Sequence, residues 1–425
     1  MIKTFHQIRR LLTSIRVGVF LAVRQIRRGN IWANALIVAI MTLTFLNLIV
    51  VSGILVGLIE GAVQAINRHY LGDIFISTLK EKYYIEKTPG LVSYIRSLPG
   101  VEDYTVRYIE GGIIEKDYKT SRKSTEKSDE ISTLMSGIDP EREAQVSGLR
   151  DKVIKGSYLE ENDFDQVIIG ALLLKDYLPI DSPNFPVFEN VSIGSKLRIT
   201  INGNVREVTV KGITYTKVDE VDRRVFFPEK QFRGIIGRYD YNADEIVLRL
   251  SPETDAVSVR DTILAAGFGE FAKIQTREDA EPKFIKDMKE TFNLLGTIIG
   301  SIGLIVASIT IFIIIFINAI MRRKFIGILK GVGIHSRAIE FAYVLQSLFY
   351  AFLGSLFGVL IVFGFLEPYF QENPINFPFS DGILVATPEG AAWRVAVLFI
   401  FTFVAGYIPA KIVVRQNTLD AILGR

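Results

Sequence analysis

The chain has 425 residues, nearly half of them hydrophobic, and its mean hydropathy is positive although 22% of its residues are charged. That balance excludes both an ordinary soluble globule and a bare bundle of spans, and fits an integral membrane protein with a large water-soluble part. A net charge of +3 argues against a nucleic-acid partner, and the absence of cysteine excludes disulfides, zinc-thiolate sites and a lipidated N-terminal cysteine. His6, His69 and His335 are far apart in sequence, which argues against a histidine metal site.

Residues 1–30 predict an amphipathic helix. Ile8, Leu11, Leu12, Ile15, Val19, Ala22, Val23 and Ile26 recur near the helical period, with Arg9, Arg10, Arg16, Arg24, Arg27 and Arg28 interspersed. Such a helix lies in a membrane interface with its arginines near anionic headgroups, so membrane lipid is the first expected partner. Residues 31–60 form the first run long and apolar enough to span, a feat that takes about 20 residues as helix. The run is too long for a cleavable signal and is expected to stay as an anchor.

Residues 61–290 read as an α+β domain. LGDIFIST (71–78) predicts a strand, TPGLVSYIRSLPG (88–100) a helix, and VEDYTVRYIEGG (101–112) a returning strand. Residues 115–130 are polar and charged and predict a mobile loop. KLRITINGNVREVTVKGITY (196–215) alternates in strand fashion around Asn-Gly, a hairpin signal. A second strand–helix–strand unit follows at 245–250, 256–268 and 271–276. The expected architecture is two βαβ-like halves with an inserted β-rich subdomain.

Residues 291–320 predict the second span, 321–340 a short basic amphipathic segment, 341–366 the third span, 367–392 a loop and 393–410 the fourth. A tail, 411–425, closes the chain. Basic residues crowd before the first span, between the second and third, and after the fourth, whereas 367–393 contains no Lys or Arg. The positive-inside rule therefore places both termini and the 321–340 segment in the cytoplasm of a plasma (inner) membrane protein, and 61–290 outside.

Catalytic signatures are missing. There is no G-x-x-x-x-G-K-[ST] loop, no G-x-S-x-G elbow and no H-E-x-x-H, and Gly267-Phe268-Gly269 reads as a helix-ending turn. A non-catalytic subunit is expected, with no cofactor of its own. The interiors of the spans carry no Asp, Glu, Lys, Arg or His, with Arg394 at the edge of the fourth, which argues against a proton- or ion-coupled carrier. What they do carry is small residues at close-packing spacing: Gly53, Gly57 and Gly61, then Gly296 and Gly300, then Gly354 and Gly358. Each run serves packing within one subunit or a dimer contact, and the Gly53–Gly61 run is the one expected at a dimer.

RRKFIGILKGVGIHSRAIEFAYVLQSLFYAFLGSLFGVLI, from residue 322 on, resembles the signature of the MacB/FtsX-type permeases of ABC transporters, which include the lipoprotein-releasing permeases. The entry segment FLAVRQIRRGNIWANALIVAI and the ending GYIPAKIVVRQNTLDAILGR resemble that family too, although Thr418-Leu419-Asp420 stands where many members have a proline-containing turn. The four-span layout matches over the whole chain. The resemblance implies a fold of four transmembrane helices with a large extracytoplasmic α+β domain between the first two. It further implies a dimer with a second permease copy or paralogue, two copies of a separate ATPase that binds ATP and Mg, and mechanotransmission through the helices without a central pore. A lever docking into that ATPase needs apolar contacts from Phe325, Ile326, Ile328 and Leu329 and charge from Arg323, Lys324 and Lys330. Gly327, Gly331 and Gly333 would allow close approach and end the turn.

Two functions remain open. One is the permease of an exporter or extractor of a lipoprotein, lipid, peptide or drug, served by an extracytoplasmic adaptor or substrate carrier. The other is an FtsX-like signal transmitter that switches on a cell-wall hydrolase. The size of the outer domain, roughly 230 residues, favours the first.

Overall fold

The computed structural model describes residues 2–118, 130–178, 186–377, 380–382 and 384–415. The expected mobile loop at 115–130 and the expected tail at 411–425 therefore fall largely outside the described residues. Two compact units emerge: Met1–Ile59, Met288–Ile375 and Gly382–Arg425 make one, and Glu60–Asp287 with Asn376–Asp381 the other.

In chain order, helices α1 (Ile2–Arg28) and α2 (Ile31–Ile66) lead to a π-helical turn, Asn67–Leu71. Next come β1 (Ile74–Ser77), α3 (Thr88–Ile95), β2 (Val101–Glu115), β3 (Glu130–Ile138), α4 (Pro140–Ser147), β4 (Val153–Gly156) and β5 (Gln166–Gly170). They are followed by β6 (Lys196–Ile201), β7 (Asn204–Thr214), α5 (Asp219–Asp222), β8 (Arg224–Pro228) and α6 (Glu229–Ile236). The second strand–helix–strand unit is β9 (Glu245–Leu250), α7 (Ala256–Ala265) and β10 (Lys273–Thr276), closed by α8 (Arg277–Ala280). The remainder is α9 (Lys283–Met321), α10 (Arg323–Gly331), α11 (Ser336–Ile361), α12 (Glu367–Glu372), β11 (Ile375–Phe377), β12 (Ser380–Gly382) and α13 (Pro388–Val414).

Among the described residues four helical stretches are long and apolar enough to cross a membrane: Ile31–Leu71, Lys283–Met321, Ser336–Glu372 and Pro388–Val414. A mixed-sheet domain lies between the first two. Its strands run β10-β1-β9-β2-β3-β8-β5-β7-β4, while β6 pairs with both β2 and β7. That double pairing closes β2, β3, β8, β5, β7 and β6 into a ring around Ile114, Met135, Ile169, Ile199, Val210 and Phe227. The β6–β7 hairpin turns at Asn202 and Gly203, both with positive φ (50° and 81°), the demand of a type I′ turn that Asn-Gly meets.

The expectation of two βαβ-like halves takes a more intimate form here. β1 and β9 pair antiparallel, and so do β9 and β2, so the strands of the two units alternate in one sheet. That sheet shares one core, in which Ile74, Ile76, Ile246 and Leu248 pack on Leu91 and Ile95 of α3 and Ile263 of α7. Consequently the first and last strands, β1 and β10, are neighbours, in register from Ile74 opposite Thr276 to Ser77 opposite Lys273. Asp73 forms an ion pair with Arg277, and the Arg277 amide donates to the Asp73 carbonyl at 3.2 Å. The chain thus enters and leaves the sheet domain at one sheet edge.

Candidate functional site

The expected lever is an independent helix. α9 ends at Met321, Arg322 breaks the helical run, and α10 occupies Arg323–Gly331. Its C-terminus is closed by local bonds: the Val332 amide donates to Ile328, Gly333 to Lys330 and Ile334 to Leu329, each at 3.0 Å. Gly333 sits at φ +95°, a conformation that favours glycine, so its place in the turn follows from backbone geometry. His335 then caps α11 by accepting from the Arg337 amide through Nδ1.

Amphipathicity divides the proposed contact residues into two sets. Ile326 is buried (3% exposed) in a core with Ile315, Ala319, Ile339, Tyr343 and Val413, and Leu329 packs against that core. Gly327 is buried with them. On the other side Phe325 (68%), Ile328 (50%) and Val332 (79%) stand exposed. They recur at helical spacing and form one apolar ridge. The sequence grouped Ile326 and Leu329 with the expected contacts and left out Val332; in the structure Ile326 is buried, Leu329 half-buried and Val332 exposed. Lys324 is exposed beside the ridge, while Lys330 donates to the Val414 carbonyl at 3.0 Å, at the end of α13. Gly331 is exposed, and Arg323 is half-buried.

The small residues of the spans pack against the chain itself. A Cβ at Gly354 would lie 2.3 Å from Cβ of Met41, and one at Gly358 2.3 Å from Cδ1 of Phe45, so α11 approaches α2 nearly backbone to backbone. Gly296 and Gly300 face Ser52 and Leu48 on α2 at 3.6 and 3.8 Å. Gly53 meets Leu384 at 2.8 Å and the Val385 carbonyl at 2.9 Å, and the Val385 amide donates to the Gly53 carbonyl. Gly57 is buried and Gly61 half-buried within the single chain. Gly53, expected with Gly57 and Gly61 at a dimer, thus touches Leu384 and Val385 of its own chain. Gly354→Leu is accordingly expected to prevent folding of the membrane unit and sharply lower the yield of monodisperse protein, independently of any dimer; gel filtration of the purified variant checks it.

Arg394 reaches out of α13 to donate to Oγ of Ser52 at 2.7 Å, which gives this edge-of-span arginine a partner on α2. α1 packs on α11 through Gly18 and Ala22, whereas Arg16, Arg24, Arg27 and Arg28 are exposed. Val19, Phe20 and Val23 are exposed on the same helix.

The sheet domain holds a buried ionic cluster that sequence reading missed. Arg107 on β2 makes a bidentate pair with Glu143 on α4, with Nη2 to Oε1 at 2.7 Å. Its Nη1 donates to the Tyr70 carbonyl at 2.9 Å and to Glu245 on β9 at 3.3 Å. Arg224 on β8 donates to Glu245 at 3.0 Å, as does the Tyr70 hydroxyl at 3.1 Å, and Thr105 donates to Glu143 at 2.8 Å. Both guanidiniums lie over the Tyr70 ring, 5.6 and 5.2 Å from its centre. Burial works against these charges, but Arg107 and Arg224 outweigh it and hold the Glu143 and Glu245 carboxyls below the usual range. Next to them, Nδ1 of His69 donates to the Ser147 carbonyl at 2.7 Å. The residues are spread over 175 positions between Tyr70 and Glu245, so no local pattern announces the cluster.

Asp222 is a separate case. Its buried carboxyl is pushed up to about 7 by desolvation, against donors from the Thr216 amide and hydroxyl and the Lys217 amide. The loop it shapes lets Lys217 donate to Asn376 at 2.5 Å, joining the β11–β12 hairpin to the sheet domain.

Residues 297–418 match the family described as FtsX-like permease C-terminal, a stretch that contains α10, α11 and α13 and most of α9. The periplasmic region of MacB from Actinobacillus actinomycetemcomitans aligns over 50% of this chain and 92% of its own, at 14% identity and a TM-score of 0.36. The extracellular domain of the noncanonic ABC-type transporter YknZ from Gram-positive bacteria aligns over 48% and 100%, at 13% identity and a TM-score of 0.31. No curated protein matches the sequence.

Proposed function

Taking the FtsX-like permease domain of residues 297–418 as the premise, we propose that the chain is the membrane subunit of an ABC transporter whose ATP hydrolysis takes place in a separate ATPase. The observation that supports this reading is the exposed ridge Phe325–Ile328–Val332 on a helix whose opposite side is held in the membrane core. Three large apolar side chains in a basic connecting segment gain nothing from water, whereas a groove on a partner would remove them from it. The ATPase pair, in closing around ATP and Mg, moves α10, and α9 and α2 carry the displacement to the sheet domain. Both connections reach that domain at the β1–β10 edge, tied by Asp73 and Arg277. The stroke serves export or extraction of a lipoprotein, lipid, peptide or drug on the far side of the membrane, with a second permease copy or paralogue as partner.

The reading requires α10 on the side where ATP is. With no native cysteine, single substitutions report the side directly. Phe325→Cys is expected to react with an impermeant maleimide only after permeabilisation, and Tyr83→Cys, 90% exposed in the sheet domain, in intact spheroplasts. Labelling of Phe325→Cys from outside would remove α10 from any ATPase and sink the proposal.

A further inference from the structure

An open groove of about 620 Å³ runs along the membrane unit between α2 and α11. Its lining extends from Ile31 to Leu46 on one side and from Phe349 to Ile361 on the other. The sixteen residues from Ile31 to Leu46 cover about 24 Å as helix, more than the roughly 15 Å that one leaflet contributes to the hydrocarbon core.

The polar groups in its floor are already matched. Tyr350 donates to Oδ1 of Asn34 at 2.7 Å, Gln346 donates to the Tyr350 hydroxyl at 2.9 Å, and Nδ2 of Asn34 donates to the Ile26 carbonyl at 3.0 Å. Such a groove offers no hydrogen bonds to a polar guest. It does offer a large apolar surface with small residues, Ala35 and Ala39, along its exposed wall. At its N-terminal end the lining residue Ile26 is followed immediately by Arg27 and Arg28, both exposed and without an ion pair among the described residues. No acidic residue lines the groove. Uncompensated cations at the mouth of a hydrocarbon-lined slot complement one molecule: an anionic lipid, with its phosphate at the arginines and an acyl chain in the slot.

We infer that this groove binds an anionic phospholipid of the leaflet facing α1, which fastens α1, α2 and α11 together beside the coupling helix. The inference rests on the membrane reading of α2 and α11, but not on which side carries the ATPase.

The test uses full-length protein in phosphatidylcholine vesicles doped with phosphatidylglycerol, then extracted into mild detergent, with retained lipid read by native mass spectrometry. Wild type is expected to keep phosphatidylglycerol well beyond its share of the vesicle. Arg27→Gln with Arg28→Gln should cut that preference by roughly tenfold, since each basic residue adds to attraction at an anionic surface. Filling the groove should displace the lipid altogether. To avoid a folding defect, Ala39→Cys is alkylated with a bulky apolar maleimide after purification. Equal retention of the two lipids by wild type overturns the inference, as does unchanged retention after alkylation. High-yield cross-linking of Ala39→Cys to a second copy overturns it too, because the groove then belongs to a protein neighbour. Both leaflets carry the same lipids, so an inverted topology leaves retention unchanged and shows only in the labelling of Tyr83→Cys and Phe325→Cys.

Discussion

Ile328→Asp is expected to release the partner ATPase while leaving the membrane unit folded. Ile328 is half exposed at the centre of the α10 ridge, so a carboxylate there is solvated in the free chain and costs the fold little. In the docked state the same carboxylate is buried without a partner, a penalty of several kcal/mol, and each ~1.4 kcal/mol is tenfold in affinity. Ile326→Asp is the control that separates docking from folding. Two residues away, Ile326 is enclosed by Ile315, Tyr343 and Val413, so that variant is expected to lose the folded protein itself. Val332→Asp should behave like Ile328→Asp, and Lys324→Ala should change mainly the salt dependence of association, as a rim charge does. Lys330→Ala acts elsewhere, because Nζ of Lys330 holds the Val414 carbonyl at the α13 terminus. Co-purification of the ATPase with each variant, together with its stimulated ATP hydrolysis, decides the matter. Retention by Ile328→Asp at wild-type stoichiometry would move the docking surface to α1 or the end of α13.

How much of this could be read in advance depended on the range of each interaction. The four candidate spans and α10 as a separate amphipathic element are local patterns of hydropathy and charge, and they stand in the sequence. So does the Asn202–Gly203 turn, because a two-residue hairpin loop needs positive φ at both positions. Which side of α10 faces inward was not legible. Phe325, Ile326, Ile328 and Leu329 are equally apolar, and only the packing of α9, α11 and α13 selects Ile326 and Leu329 for burial. The glycine runs show the same limit: spacing indicates a close approach without saying to what, and Gly53 proves to approach Leu384 and Val385. The ring closure by β6 joins residue 113 to residue 200, a long-range pairing that strand periodicity does not encode.

The buried cluster of the sheet domain carries the second large effect. Arg107→Met is expected to cost about 3–5 kcal/mol, because it leaves Glu143 without its cation and strips Glu245 of one of its two cations. In full-length protein that loss should appear as exchange of β2 and β9 amides accelerated by roughly a hundredfold or more. A large part should return in Arg107→Met with Glu143→Gln, since the cost lies in an uncompensated charge more than in lost packing; a double variant no better than the single would assign it to packing instead. Acid gives an independent check of sign. In the wild type the Glu143 and Glu245 carboxyls lie below the usual range, so their contribution is present above it and is lost as pH falls through their folded values. Acidification therefore weakens the wild type. In Arg107→Met the unpaired Glu143 no longer has a reason to stay ionised, so taking up a proton relieves the strain and the variant's deficit should shrink as pH falls. The cluster links the Tyr70 turn that follows α2 to β2, β8, β9 and α4. A deficit that instead grows in acid would show that Arg107 is not held there for its charge.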